Sequence, residues 1–171
     1  MLFDSSRLRG EVEHLDRRFE PGAFDLAHED FRVIGPVHLV ADARKDGAKV
    51  RLTGHLDAEL ECDCSRCLEP FPVPLHAAVD SLFLPMADNI GEGEREVQQD
   101  DLGVSFYRDD EIDLGDVMRE QFLLAVPMKP LCREECKGLC PVCGVNLNER
   151  DCGGHEGWVD PRLEGLRKLR R

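Results

Sequence analysis

Lys49-Val50-Arg51-Leu52-Thr53-Gly54-His55-Leu56-Asp57-Ala58-Glu59-Leu60-Glu61 decides the fold. Val50, Leu52, Leu56, Ala58 and Leu60 fall on one side of a two-residue period. Lys49, Arg51, Thr53, His55, Asp57, Glu59 and Glu61 fall on the other. Strict alternation over this length predicts a long strand with one face buried and one in water. Upstream, Val37, Leu39, Ala41 and Ala43 alternate with more polar neighbours, and Lys45-Asp46-Gly47 carries the Asp-Gly turn signal. Downstream of Pro72, Val73, Leu75, Ala77, Val79 and Phe83 are again in phase. The three runs together predict an antiparallel β-meander.

Away from this centre the pattern changes. Residues 1–32 are polar and weakly periodic, which suggests one or two short elements. Residues 86–103 are acidic, contain Gly91 and Gly93 and lack a period, as expected of a flexible loop. Val104 to Ile112 has the character of a further strand. Asp113 is placed to cap a helix, with Asp116 in its first turn. Leu114, Met118, Phe122 and Ala125 lie on one helical face, with Val117 and Leu124 beside it, and Pro127 stops the helix. Asp160-Pro161 opens a short closing helix with Leu163, Leu166 and Leu169 as its stripe. The expected fold is therefore α+β: an antiparallel meander, one packed helix and a cysteine-rich C-terminal appendage. Its expected division is a core over 1–128 and an appendage over 129–171.

The appendage is expected to need a metal. Cys132, Cys136, Cys140, Cys143 and Cys152 crowd into a few turns of chain, followed by His155. Cys64-x2-Cys67 and Cys140-x2-Cys143 have the spacing of zinc knuckles, whose tight turns aim two sulfurs at one ion. Cys132-x3-Cys136 and Cys152-x2-His155 supply two more pairs. Residues 1–10 do not have the apolar core of a secretory segment, so a reducing, cytoplasmic setting is expected and disulfides are disfavoured. Two groupings satisfy four-coordination. A compact site would use Cys132, Cys136, Cys140 and Cys143, but only three residues separate its two pairs. The preferred arrangement holds two structural zinc ions. It joins Cys64 and Cys67 to Cys132 and Cys136, and Cys140 and Cys143 to Cys152 and His155, leaving Cys62 as a buried thiol.

Composition narrows the function. Thirty-five acids against 22 lysines and arginines give a formal charge of −13, which disfavours general nucleic-acid binding and favours basic protein partners. The charge is uneven. Acids dominate residues 88–116, whereas Arg162, Arg167, Lys168, Arg170 and Arg171 crowd the last residues. No apolar run is long enough to span a membrane. The chain has no phosphate-cradling glycine loop, no nucleophile–base pattern and no His-Glu-x2-His, so no catalytic residue and no small-molecule substrate are expected. A thiolate-rich, closed ion is a scaffold rather than a Lewis acid. Against this reading stand a zinc-dependent hydrolase or nuclease and a thiol-redox sensor. His14, His28, His38, His55 and His76 are scattered, as surface or strand residues are.

Several stretches together resemble a known family. Glu61-Cys62-Asp63-Cys64-Ser65-Arg66-Cys67-Leu68-Glu69-Pro70-Phe71 is similar to the first signature of the YceD family, the large ribosomal RNA subunit accumulation proteins. Arg119 to Pro127 is similar to its helix. Pro130 to Asn148 is similar to its cysteine-rich segment, and Val159 to Leu163 to its closing helix. The resemblance implies a bacterial, non-enzymatic role in accumulation of 23S ribosomal RNA and in large-subunit assembly. The implied partners are precursor RNA, a basic ribosomal protein, or both. Arg66, on the tip of the first knuckle, and the tail residues Arg167, Lys168, Arg170 and Arg171 are the candidate RNA contacts.

Overall fold

The structure, a computed structural model, describes residues 1–8, 12–26, 29–86, 104–153 and Arg162. It resolves into two compact units. One comprises residues 1–62 and 72–128, the other residues 63–71 and 129–171. Sequence reading places the whole of 1–128 in one body. The structure assigns residues 63–71, midway along the chain, to the cysteine-rich unit.

The first unit is a mixed sheet with one helix. Its strands are β1 (Leu2–Asp4), β2 (Glu13–Phe19), β3 (Phe31–Val33), β4 (Val37–Asp46), β5 (Lys49–Asp63), β6 (Pro70–Pro85), β7 (Val104–Tyr107) and β8 (Glu111–Asp113); the helix α1 is Leu114–Ala125. The main sheet runs β2-β4-β5-β6-β7, and β1 pairs with β8 in a separate ribbon. β5 pairs antiparallel with β4 from Lys49 to Asp57 and with β3 from Leu60 to Cys62, so β3 and β4 share one edge of the longer strand. Gly47, with φ of +60°, makes the β4–β5 turn.

Alternation sorts the side chains as expected. Val50, Leu52, Leu56, Leu60 and Cys62 of β5 are all at most 2% exposed, as are Val37, Leu39, Ala41 and Ala43 of β4. Leu75, Val79 and Phe83 bury the same face of β6. Gly54 lies at a close approach of two backbones. It stands opposite Ala41, and a Cβ there would fall 2.1 Å from the Val40 carbonyl oxygen and 2.5 Å from the Ala41 Cα. Because the obstruction is backbone, Gly54→Ala is expected to destabilise the sheet by about 2–3 kcal/mol, read as a lower urea midpoint. An unchanged midpoint would mean that the strands separate without cost.

One expected strand becomes two. β7 joins β6 in parallel, Leu82 facing Val104. A parallel neighbour needs a connection of about a dozen residues or more, and the sequence between Pro85 and Val104 is long enough for one. Asp109 and Asp110 then take positive φ, and β8 turns away to pair with β1. The expected acidic loop over 86–103 lies, after Met86, outside the described residues, as does the expected closing helix over 160–170 apart from Arg162.

Helix α1 starts where the sequence places it. The Asp113 carboxylate accepts the Gly115 N–H at 2.7 Å, and Val126 ends the helix one residue before Pro127. Leu114, Val117, Met118 and Phe122 are buried. The buried face ends there. Leu124 is 73% exposed and Ala125 is exposed, although Ala125 lies on the same side by angle. Phe122 is the last anchored residue. Its ring meets Phe31 of β3 and Phe24 edge-on, with centroids 6.3 and 5.3 Å away, and this contact holds the helix to the apolar face of the sheet.

Candidate metal centre

The second unit is built around two knuckles with one backbone design. In the first, the Leu68 N–H donates to the Cys64 carbonyl at 2.9 Å and the Cys64 N–H to the Glu69 carbonyl at 2.9 Å. In the second, the Gly144 N–H donates to the Cys140 carbonyl at 2.9 Å and the Cys140 N–H to the Val145 carbonyl at 2.8 Å. Both close through a left-handed residue: Leu68 at φ 60° and Gly144 at φ 72°. Glycine adopts this conformation without strain, whereas in leucine it costs roughly 1–2 kcal/mol. Leu68 is also 64% exposed. Leu68→Gly is therefore expected to stabilise the metal-loaded unit by about 1 kcal/mol, measurable as a higher thermal midpoint, less the entropy that glycine adds to the unfolded chain.

The Cys64 and Cys67 sulfurs form a group with those of Cys132 and Cys136, all within 4.8 Å of one another. The Ser65 N–H, donating to the Pro130 carbonyl at 2.8 Å, draws the later segment against the knuckle. Cys64 Sγ lies 3.8 Å from Cys136 Sγ, and Cys67 Sγ lies 3.8 Å from Cys132 Sγ. These distances exclude S–S bonds. They match a tetrahedral ion, whose metal–sulfur bonds of about 2.3 Å set sulfur–sulfur edges of about 3.8 Å. The group could hold a metal ion. Cys64, Cys67 and Cys136 are buried, with Phe71 and Leu131 packed on them.

The electrostatics fit the same conclusion. Burial opposes ionisation of Cys64, yet the N–H groups of Cys132, Cys67 and Arg66 outweigh it and hold the thiol at about 6. Burial and the neighbouring Cys136, Cys64 and Cys67 push Cys132 up to about 12. Four sulfurs this close cannot all carry charge unaided. A cation, if held there, would supply the compensating charge.

The Cys140, Cys143 and Cys152 sulfurs form a second group, again within 4.8 Å. N–H groups of Cys143 and Val142 bring Cys140 down to about 7, against burial. His155, the fourth ligand expected from sequence, lies outside the described residues, as do Arg167, Lys168, Arg170 and Arg171. Cys132 and Cys136 thus group with Cys64 and Cys67, not with Cys140 and Cys143. Cys62 is 1% exposed in the sheet, opposite Phe31.

Two residues have roles that spacing did not reveal. Arg66 Nη1 donates to the carbonyls of Glu134 and Cys136 at 3.0 and 2.9 Å, and the Arg66 carbonyl accepts the Leu139 N–H. Its guanidinium therefore has work inside the unit, beside the RNA contact expected of it. Asn148 Nδ2 lies 3.2 Å from Cys136 Sγ. Asn146-Leu147-Asn148 offered an Asx-turn signal, which would have suggested local side-chain bonding without naming its target. His14, His38 and His76 hydrogen-bond to Asp42, Asp16 and Asp57, and His55 Nε2 lies 3.8 Å from Asp57. Among the described residues, no histidine joins a potential ligand group.

The fold and site define an α+β protein whose second unit is organised by cysteine groups suited to metal. The family model for "Large ribosomal RNA subunit accumulation protein YceD" matches residues 52–170. The chain belongs to the YceD family. It is 34% identical to an uncharacterized protein of Mycobacterium tuberculosis, across 95% of this chain and 81% of the relative. It is 30% identical to the uncharacterized protein YlbN of Bacillus subtilis, across 90% and 86%. A chloroplastic protein of Zea mays, named large ribosomal RNA subunit accumulation protein YCED homolog 1, is 27% identical over 66% of this chain and 46% of its own length. No solved structure matches the chain. No helix among the described residues is long and apolar enough to cross a membrane.

Proposed function

We propose that this chain is a non-enzymatic, zinc-stabilised factor for accumulation of 23S ribosomal RNA in the cytoplasm. In this reading it binds precursor RNA, a basic large-subunit ribosomal protein, or both. Membership of the YceD family carries the functional part of the reading. The four-thiolate group carries the structural part. Zinc accepts such a set as a closed tetrahedron, which leaves no position for substrate or water and favours a scaffold over a hydrolase. Cys64, Cys67, Cys132 and Cys136 would hold one ion; Cys140, Cys143 and Cys152, with His155, would hold the other.

Two measurements test this. Metal analysis of the purified chain is expected to find two zinc ions per chain. Reversing Arg167, Lys168, Arg170 and Arg171 to Glu is expected to weaken binding to precursor large-subunit RNA by at least about tenfold. It should also flatten the salt dependence, by a log–log slope of about 0.7 for each single-strand phosphate that the tail no longer neutralises. Binding unchanged in strength and slope would remove the tail from the interface and leave the acidic surface, with a basic protein, as the contact.

A further inference from the structure

We propose that the two cysteine groups load metal cooperatively through the hairpin between them, with Asn148 as the positioning residue that couples them. This rests on the metal reading above and adds a regulatory property to it.

The hairpin is short and has a site at each end. Leu139 pairs with Asn146, the Leu147 N–H donates to the Gly138 carbonyl at 2.9 Å, and the Cys140 N–H donates to the Val145 carbonyl. Its turn is the second knuckle, carrying Cys140 and Cys143. Its open end carries Cys136 and Asn148. There the Lys137 N–H donates to Asn148 Oδ1 at 2.9 Å. A backbone N–H can only donate, so this bond fixes which end of the Asn148 amide is oxygen. The other end, Nδ2, is thereby aimed at Cys136 Sγ at 3.2 Å, and it also donates to Asn146 Oδ1 at 2.9 Å.

A two-stranded hairpin of this size is at best marginally stable alone in water. An ion held by Cys140 and Cys143 closes the turn and so sets the register that brings Asn148 to Cys136. The first group then meets its ion with a ligand already oriented and hydrogen-bonded. The Arg66 carbonyl, accepting the Leu139 N–H at 3.0 Å, ties the same hairpin to the first knuckle. Gly138 permits that approach, since a Cβ there would stand 2.9 Å from the Arg66 oxygen. Linkage requires the effect to be mutual: each ion tightens the other by the same factor.

The test is competition of the full chain against a chromophoric chelator, with Zn²⁺ for affinity and Co²⁺ for spectra. Cys140→Ser with Cys143→Ser is expected to leave one ion, held by the first group about tenfold or more weakly than in the native chain. Cys64→Ser with Cys67→Ser should weaken the second group by the same factor. Asn148→Leu should retain two ions, lose about 10–100-fold in affinity at the first group and abolish the coupling. Asn148→Asp keeps the acceptor for Lys137 but has no N–H for sulfur. It should shift the sulfur-to-cobalt charge-transfer bands as Asn148→Leu does, whereas a residue that only braced the hairpin would leave them as in the native chain. Amide protection of β4 and β5 checks that each variant folds. Two ions with first-group affinity untouched by loss of the second would overturn the coupling and leave the metal reading standing. No ion in the native chain would overturn both.

Discussion

Stripping metal from the full chain with a strong chelator is expected to unfold residues 63–71 and 129–153 while β4 and β5 stay folded. The reason lies in what each unit buries. The sheet unit has a continuous apolar face and a helix against it. The cysteine unit has a small buried cluster of Cys64, Cys67 and Cys136, flanked by Phe71 and Leu131, too little apolar surface to offset the entropy of ordering its loops. A structural zinc site contributes roughly 10–16 kcal/mol, more than such a unit could find elsewhere. Hydrogen exchange read by mass spectrometry is the suitable measurement. Amides of 136–148 should lose protection on chelation and regain it with zinc, while those of 39–43 and 52–60 should not change. Persistent protection of 136–148 in metal-free protein would show that packing alone folds the unit.

The second large effect is expected in the sheet unit. Phe122 is fully buried and joins the helix to Phe24 and Phe31. Phe122→Ala removes the ring and both edge-on partners, at a cost of about 3–5 kcal/mol. For a domain of this size that is a large part of the total stability. The expected result is a strongly lowered urea midpoint with an unchanged slope. Phe122→Leu, which refills most of the volume, should recover much of the stability. A change under about 1 kcal/mol for Phe122→Ala would mean that the helix is held elsewhere.

What sequence reading captured is what periodicity and local capping encode. The alternation of β4, β5 and β6, the cap at Asp113 and the stop at Pro127 all act between near neighbours in the chain. What it missed depends on distant partners. Nothing near Val104 indicates that it will lie parallel to β6, because that pairing is made with a strand well separated from it in the chain. Nothing near Ala125 indicates that the helix runs out of packing partners at Phe122. Gly54 reads as a weak spot in a strand until the Val40 carbonyl is placed beside it. Cysteine spacing pointed to ligands, and the short gap between Cys136 and Cys140 argued against placing all four local cysteines on one ion. It could not point to Asn148, because an amide hydrogen-bonded to sulfur leaves no periodic trace.

The split composition of the cysteine unit has a consequence for synthesis. Cys67 and Cys132, 3.8 Å apart in the folded protein, are 65 residues apart in the chain. At translation rates of about 5–20 residues per second, the first knuckle is made about 3–13 s before the cysteines that complete its group. During that interval β4 and β5 can already pair, but Cys64 and Cys67 are only half of the four-sulfur group. The group therefore closes late, and a fragment beginning at residue 129 would lack the first knuckle altogether.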